Sequence, residues 1–288
     1  MTENEFREEW QLARDDYRAV ISYRDDALFS EFLPRGYTMT TLSSVAPEHY
    51  FRALLIKCNL GMFITLLDDF ADNPELRNKA LLEKLYRIPF DDEFIDLSCC
   101  TEPEKNICAL ALKIRGNMKT HIRQLSGFMN FYDIFKFDFE EIMRANQYSE
   151  LMTDRSDIVN PEECRHYGAY NMGMVLAGMI DLMSTPELRD PLGVLRHVFL
   201  LGQRYSRLCN LNTTLDREKS ENDNTNEFVV LAQYEGTTIE EQQHRANEEM
   251  AVIIDRIRRF EIQQFDAARY VLGLENLCAL HIAMTGKI

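Results

Sequence analysis

"HYFRALLIKCNLGMFITLLDDFADNP", residues 49–74, decides the fold class. Apolar residues fall at Phe51, Leu55, Cys58, Met62 and Leu66, in steps of three and four that mark the buried stripe of a helix. At its end stand Asp68, Asp69 and Asp72. Asp68 and Asp72 are four apart, so their carboxylates leave one helix face. Neighbouring acids on a mostly buried helix repel unless a cation sits between them. The same acids also read as an ordinary acidic helix end running into the turn "DNP". A core helix follows from either reading, a metal site from only one.

The rest of the chain has the same character. No proline falls between Pro103 and Pro161 or after Pro191, and only 12 Gly and 8 Pro occur in 288 residues, so long tracts are free to be helical. "TEPE" at 101–104, "NPEE" at 160–163 and "TPEL" at 185–188 each place a capping residue before Pro and an acid, as first helical turns prefer. Residues 237–272 predict one long amphipathic helix with Met250, Ile253, Ile254 and Ile257 on one side. Period-two alternation is almost absent. The expected architecture is all-α, a single helical domain over residues 1–288 built from about ten helices.

Bulk charge narrows the function. Thirty-two basic against 47 acidic residues give −15, which argues against a general nucleic-acid binder but not against an anionic ligand held by a few arginines or by metal ions. The seven cysteines are scattered, with no CxxC or Cys/His ligand spacing, which argues against zinc and against a disulfide framework. No run approaches twenty uncharged apolar residues, and "MTENEFREEW" lacks the apolar core of a signal peptide. A soluble, cytoplasmic protein without membrane insertion is the expectation.

A second constellation lies in "RYSRLCNLNTTLDREKSENDN", residues 204–224. Val198, Leu201, Tyr205 and Leu208 form an apolar stripe, and beyond it Asn210, Thr214 and Glu218 stand at i, i+4 and i+8. On a helix these make one line of oxygen donors that drifts by about 80° overall. An amide, a hydroxyl and a carboxylate are hard donors suited to Mg²⁺. Arg207 and Arg217 bracket the line, where they would hold diphosphate oxygens. Singly, each has a plain reading: a polar helix end, a hydroxyl bonded to its own backbone, a solvated charge run. Two such lines on separate core-facing helices make the stronger signal.

Through these two constellations the chain resembles the class I terpene synthases of the single-domain bacterial type. Asp68-Asp69-Phe70-Ala71-Asp72 matches the family's DDxxD motif, and "NLNTTLDRE", Asn210 to Glu218, matches its second metal motif. The stretch from Arg207 to Met250 is similar to bacterial ent-kaurene-type diterpene synthases, and "NPEECRHYGAYNMG" resembles the segment that carries the diphosphate-sensing arginine, here Arg165, before a helix-breaking Gly168. The likeness covers about residue 40 to the end. The chain departs from it in three places: Leu211 stands where Asp usually follows Asn, Ala169 and Tyr170 replace the usual residues after Gly168, and the tail ends in Lys287-Ile288 instead of Arg-Tyr. Lysine neutralises charge as a point but does not fork onto two oxygens.

The resemblance implies a helical bundle around a central apolar cavity, and Mg²⁺ as cofactor, three ions with diphosphate bound. The catalytic acids and donors would be Asp68, Asp69, Asp72, Asn210, Thr214 and Glu218, of which all but Asp69 bind metal. Arg165, Arg207, Arg217 and Lys287 would contact the substrate diphosphate. The substrate would be an allylic isoprenoid diphosphate, tilted to C20 (geranylgeranyl or copalyl diphosphate), and a homodimer is compatible with the family. Phe128, Phe131, Tyr132, Phe135, Phe137 and Phe139 supply either a cation-stabilising aromatic wall or an ordinary core. The Gly-, Ala- and Met-rich helix expected over 168–183 would admit substrate or close helix packing. Alternatives are a sesquiterpene synthase, a prenyltransferase or squalene/phytoene-type enzyme (which would carry aspartates on both helices), and a degenerate, non-catalytic isoprenoid binder.

Overall fold

The computed structural model describes residues 1–72, 76, 78–89, 95–220 and 226–287. Among these residues every regular element is helical, and twelve α-helices occur where about ten were expected.

The helix opened by the deciding stretch is α3, Tyr50–Asp72. It is buried on nearly all sides, Lys57 and Asn59 included, not along one stripe. Its neighbours explain this. α1 (Glu3–Val20), α2 (Leu33–Thr40), α4 (Lys79–Leu85), α5 (Glu102–Ile122), α6 (Phe128–Asp154) and α8 (Met174–Met183) all pack against it. By length and mean hydropathy residues 50–71 would suffice to cross a membrane, but they carry Arg52, Lys57, Asp68 and Asp69, and 78% of the most apolar window is buried in the bundle, as befits a core helix. Lys57 is tolerated there because its Nζ lies 2.8 Å from Asp181 of α8, whose other oxygen accepts the Leu42 N–H at 3.0 Å.

Local signals hold at several helix starts. Thr101 and Glu104 close a capping box on α5, and Asn160 caps α7 (Pro161–Tyr170) by accepting the Glu163 N–H. "TPEL" starts no helix, however. The Thr185 hydroxyl donates to the Asp181 carbonyl at 2.9 Å, finishing α8, and α9 begins only at Leu192 (Leu192–Ser220). Two long helices expected from sequence are each divided. Residues 168–183 break at Gly173, which adopts φ 63 between α7 and α8, while Gly168 stays helical within α7. After α10 (Glu227–Glu235), residues 237–272 divide into α11 (Ile239–Arg258) and α12 (Ala267–Ala283). Between them Asp190 accepts the backbone N–H groups of Gln263 and Gln264 at 2.8 and 2.6 Å, and these partners replace the helical ladder.

α12 lies along α2 in the opposite direction. Gly273 faces the Met39 carbonyl, Leu277 meets Gly36, and His281 sits edge-on to Phe32 at a ring separation of 4.6 Å. Phe32 ends the π-helical turn Leu28–Phe32 that leads into α2.

Candidate active site

One cavity of about 200 Å³ opens between α3, α9, α7, α2 and α12. On α3 it is lined by Gly61, Ile64, Thr65 and Asp68, the i, i+3, i+4, i+7 face of a helix. At about 1.5 Å per residue this face climbs roughly 10 Å from a glycine to a carboxylate. α9 contributes Ser206, Arg207, Asn210, Thr214, Arg217 and Glu218. The mouth is therefore polar and charged. The deeper wall is apolar, formed by Leu28, Phe32, Leu33, Met172, Met174 and Leu277.

Asp68 of the first predicted line thus shares one opening with all three donors of the second. Asp68 faces the cavity, with the Asn171 side chain 3.5 Å from its Oδ1. Asn210 accepts from Arg207 Nη1 at 3.2 Å. Thr214 is buried and donates its hydroxyl proton to the Asn210 carbonyl at 2.9 Å, which leaves its oxygen lone pairs for another partner. Glu218 is buried and held at Oε2 by Asn226 Nδ2 at 2.6 Å. Asn226 also caps α10 by accepting the Phe228 N–H at 2.9 Å, so one side chain fixes both the helix start and the carboxylate. The third acid of the first motif, Asp72, closes α3, but its side chain lies outside the described residues, as does Ile288.

Asp69 does not face the cavity. Successive helix residues diverge by about 100°, and Asp69 is turned into the core, where Arg24 Nε donates to its Oδ1 at 2.6 Å and the Tyr17 hydroxyl lies 3.5 Å from Oδ2. Burial works against the Arg24 charge, but the facing Asp69 outweighs it and holds the guanidinium above its ordinary range. Burial likewise pushes Tyr17 up. Arg24 itself lines the cavity, so Asp69 places a cation at the mouth.

The arginines divide. Arg207 and Arg217 line the cavity. The Arg207 Nε is buried with no hydrogen-bond partner, and the guanidinium lies alongside Gly168, where a Cβ would meet it at an ordinary contact distance of 3.4 Å. Arg165 does not line the cavity: its half-exposed guanidinium lies 3.6 Å from Glu162 and 3.6 Å from Glu235. Lys287 is exposed in the turn after α12 and is likewise outside the lining.

The aromatic wall is also elsewhere. Phe128, Tyr132, Phe135 and Phe139 line a separate pocket with Phe63, while Phe137 is exposed. α6 meets the main cavity about two and a half turns beyond Phe139, through Tyr148, Ser149 and Met152. Its register against α3 decides this, and register is set by packing partners that one helix's pattern does not name.

Several lining residues carry no motif. Glu227, 1% exposed, takes a paired hydrogen bond from Arg204 at 2.8 Å to each oxygen, and Arg204 also reaches Glu249 at 2.8 Å. Ser206 and His281 are buried, and the Ser206 hydroxyl and His281 Nδ1 have no hydrogen-bond partner.

No protein-family model matches the chain, and no curated protein matches it significantly by sequence. Among solved structures it is similar to isoprene synthase from grey poplar (Populus x canescens) in complex with three Mg²⁺ ions and dimethylallyl-S-thiolodiphosphate, with TM-score 0.69 and 11% identity over 96% of this chain. A second structure of that synthase aligns at TM-score 0.69 and 13% identity, covering 97% of this chain and 53% of the synthase. The chain spans about half the length of isoprene synthase, 54% in the complex. A cucumene synthase variant aligns at TM-score 0.61 and 15% identity over 96% of this chain and 95% of its own. The fold is that of class I terpene synthases.

Proposed function

We propose that the chain is a Mg²⁺-dependent class I terpene synthase that ionises an allylic isoprenoid diphosphate and cyclises the carbocation, with a C20 substrate, geranylgeranyl or copalyl diphosphate. One observation carries the reading: a single cavity joins Asp68 of α3 to Asn210, Thr214 and Glu218 of α9 at a charged mouth above an apolar interior. The similarity of residues 207–250 to ent-kaurene-type synthases supports the C20 choice.

The donor set fits magnesium. Among the described residues no three His, Cys, Asp or Glu side chains form a metal cluster. The donors at this mouth are instead two carboxylates, an amide and a hydroxyl, all oxygen, which suits a hard cation that keeps waters and shares substrate phosphates. Asp68, Asn210, Thr214 and Glu218 would hold it, joined by Asp72. When bound, Mg²⁺ neutralises the charge that develops on a departing diphosphate.

The chain's own residues supply the rest. The allylic C–O bond breaks with its electron pair leaving on the diphosphate, and Arg207, Arg217 and Arg24 stand at the mouth to hold those oxygens. The unspent Arg207 Nε–H is a donor already desolvated for that purpose. The apolar wall keeps water from the cation. Arg165 and Lys287 would reach the diphosphate only through movement of α7 or of the C-terminal turn.

Gas chromatography–mass spectrometry tests the reading, with geranyl, farnesyl, geranylgeranyl and ent-copalyl diphosphates offered with Mg²⁺ and with EDTA. A metal-dependent hydrocarbon or alcohol from a C20 substrate is expected. Product from farnesyl diphosphate alone would overturn the chain length, and no product from any substrate with folded protein would overturn the activity.

A further inference from the structure

His281 is a buried, titratable group of the cavity that the ionisation step leaves unused. It is 6% exposed, lines the cavity with Leu277 one helical turn before it, and packs edge-on to Phe32. Its Nδ1 is buried without a hydrogen-bond partner. A polar atom in such a place costs free energy unless something satisfies it, so an imidazole with an orphaned nitrogen is a poor choice for packing alone and points to a role for the ring.

Its height in the cavity is fixed by the pairing of α12 with α2. The cavity-lining residues Arg24, Leu28, Phe32 and Gly36 step down from the Asp69 level towards the floor, where Tyr37 and Leu33 close on Gly61. Because His281 sits at Phe32 and Leu277 at Gly36, the imidazole lies between the diphosphate-facing mouth and the floor. That is where the hydrocarbon part of a substrate would lie, away from the arginines that would hold its head.

Resting on the terpene synthase reading, we infer that His281 is the base that ends the reaction by taking a proton from the cyclised carbocation. The C–H bond next to the cationic carbon breaks, its electron pair forms the C=C bond, and the proton goes to the imidazole lone pair. The imidazolium then passes its proton to the released diphosphate, whose oxygens are the nearest strong acceptors the reaction itself supplies. Burial lowers the His281 pKa to about 4, so the ring is neutral and its lone pair free near neutral pH, and the proton it takes is readily given up. The position of the base then selects which proton is lost, and so which double-bond isomer forms.

The test compares wild type with His281→Asn and His281→Phe on the substrate that wild type consumes, reading diphosphate release and product composition separately. Asn keeps a polar group near Nδ1 without its basicity, and Phe keeps the ring shape. Circular dichroism checks that each variant is folded. The share of the wild-type olefin is expected to fall about tenfold or more in both variants, replaced by double-bond isomers or by alcohols from water capture, while diphosphate is still released. An unchanged product ratio in either folded variant would overturn the assignment. Wild type that releases no diphosphate from any substrate would overturn the underlying function instead, so the two failures are distinguishable.

Discussion

Arg24 and Asp69 are joined at the cavity mouth, Nε to Oδ1 at 2.6 Å, so the second acid of the Asp68-Asp69 pair holds a cation from the N-terminal segment while the first faces the cavity. Adjacent carboxylates therefore have separate tasks. Asp68 offers its oxygens to the opening. Asp69 spends its own on a guanidinium that burial alone would disfavour.

The first prediction separates those tasks. Asp68→Asn is expected to lower Mg²⁺-dependent turnover by about a hundredfold or more with little change in melting temperature, since it removes a donor aimed at the site. Asp69→Asn is expected to destabilise the fold by about 2–5 kcal/mol, because it leaves Arg24 uncompensated beside buried Tyr17. Urea denaturation and steady-state kinetics on both variants check the division. Equal effects on stability would refute it.

Asn226 is expected to act on the metal through Glu218. Asn226→Ala removes the 2.6 Å hydrogen bond that orients the carboxylate, and should raise the Mg²⁺ concentration for half-maximal activity about 10- to 100-fold. Loss of the α10 cap costs about 1 kcal/mol besides. A Mg²⁺ titration of activity, read beside a melting curve, distinguishes the two effects.

Gly273 marks the closest approach of α12 to α2. A Cβ there would lie 2.2 Å from the Met39 carbonyl oxygen, which is backbone and does not rotate away. Gly273→Ala is expected to push α12 outward and to destabilise by about 1–3 kcal/mol. Since α12 carries Leu277 and His281, activity should fall with it, whereas Gly236→Ala, where no atom stands within 4 Å, should leave the cavity intact at a backbone cost from its φ of 67. Denaturation midpoints and turnover of the two variants test this.

His281 also gives a pH signature in stability. Its pKa is about 4 folded, against an ordinary value near 6.5, and burial is the cause. The unfolded state binds the extra proton in this window, so stability is complete above about pH 6.5 and falls as pH drops towards 4, by up to about 3 kcal/mol. His281→Asn lacks this slope. Urea midpoints at pH 7 and 4.5 should therefore converge for wild type and variant as the pH falls, relative to their separation at pH 7. A constant separation would refute the buried neutral imidazole.

Much of this architecture is written in local pattern. Steps of three and four identify α3 and α9, capping residues start α5 and α7, and the i, i+4, i+8 spacing of Asn210, Thr214 and Glu218 places three oxygens on one helix line. These depend on residues within a few turns of one another, so the sequence by itself determined the all-α class, the two acidic or polar helix ends and the candidate donors upon them. Tertiary structure alone decided that Asp69 turns to Arg24, that α6 presents Tyr148 and not Phe135 to the main cavity, that residues 237–272 break where Asp190 captures two backbone N–H groups, and that His281 stands unpartnered opposite Phe32. Each is a contact between residues far apart in the chain. Periodicity shows which face of a helix is buried, but only packing against a particular neighbour shows what that face meets.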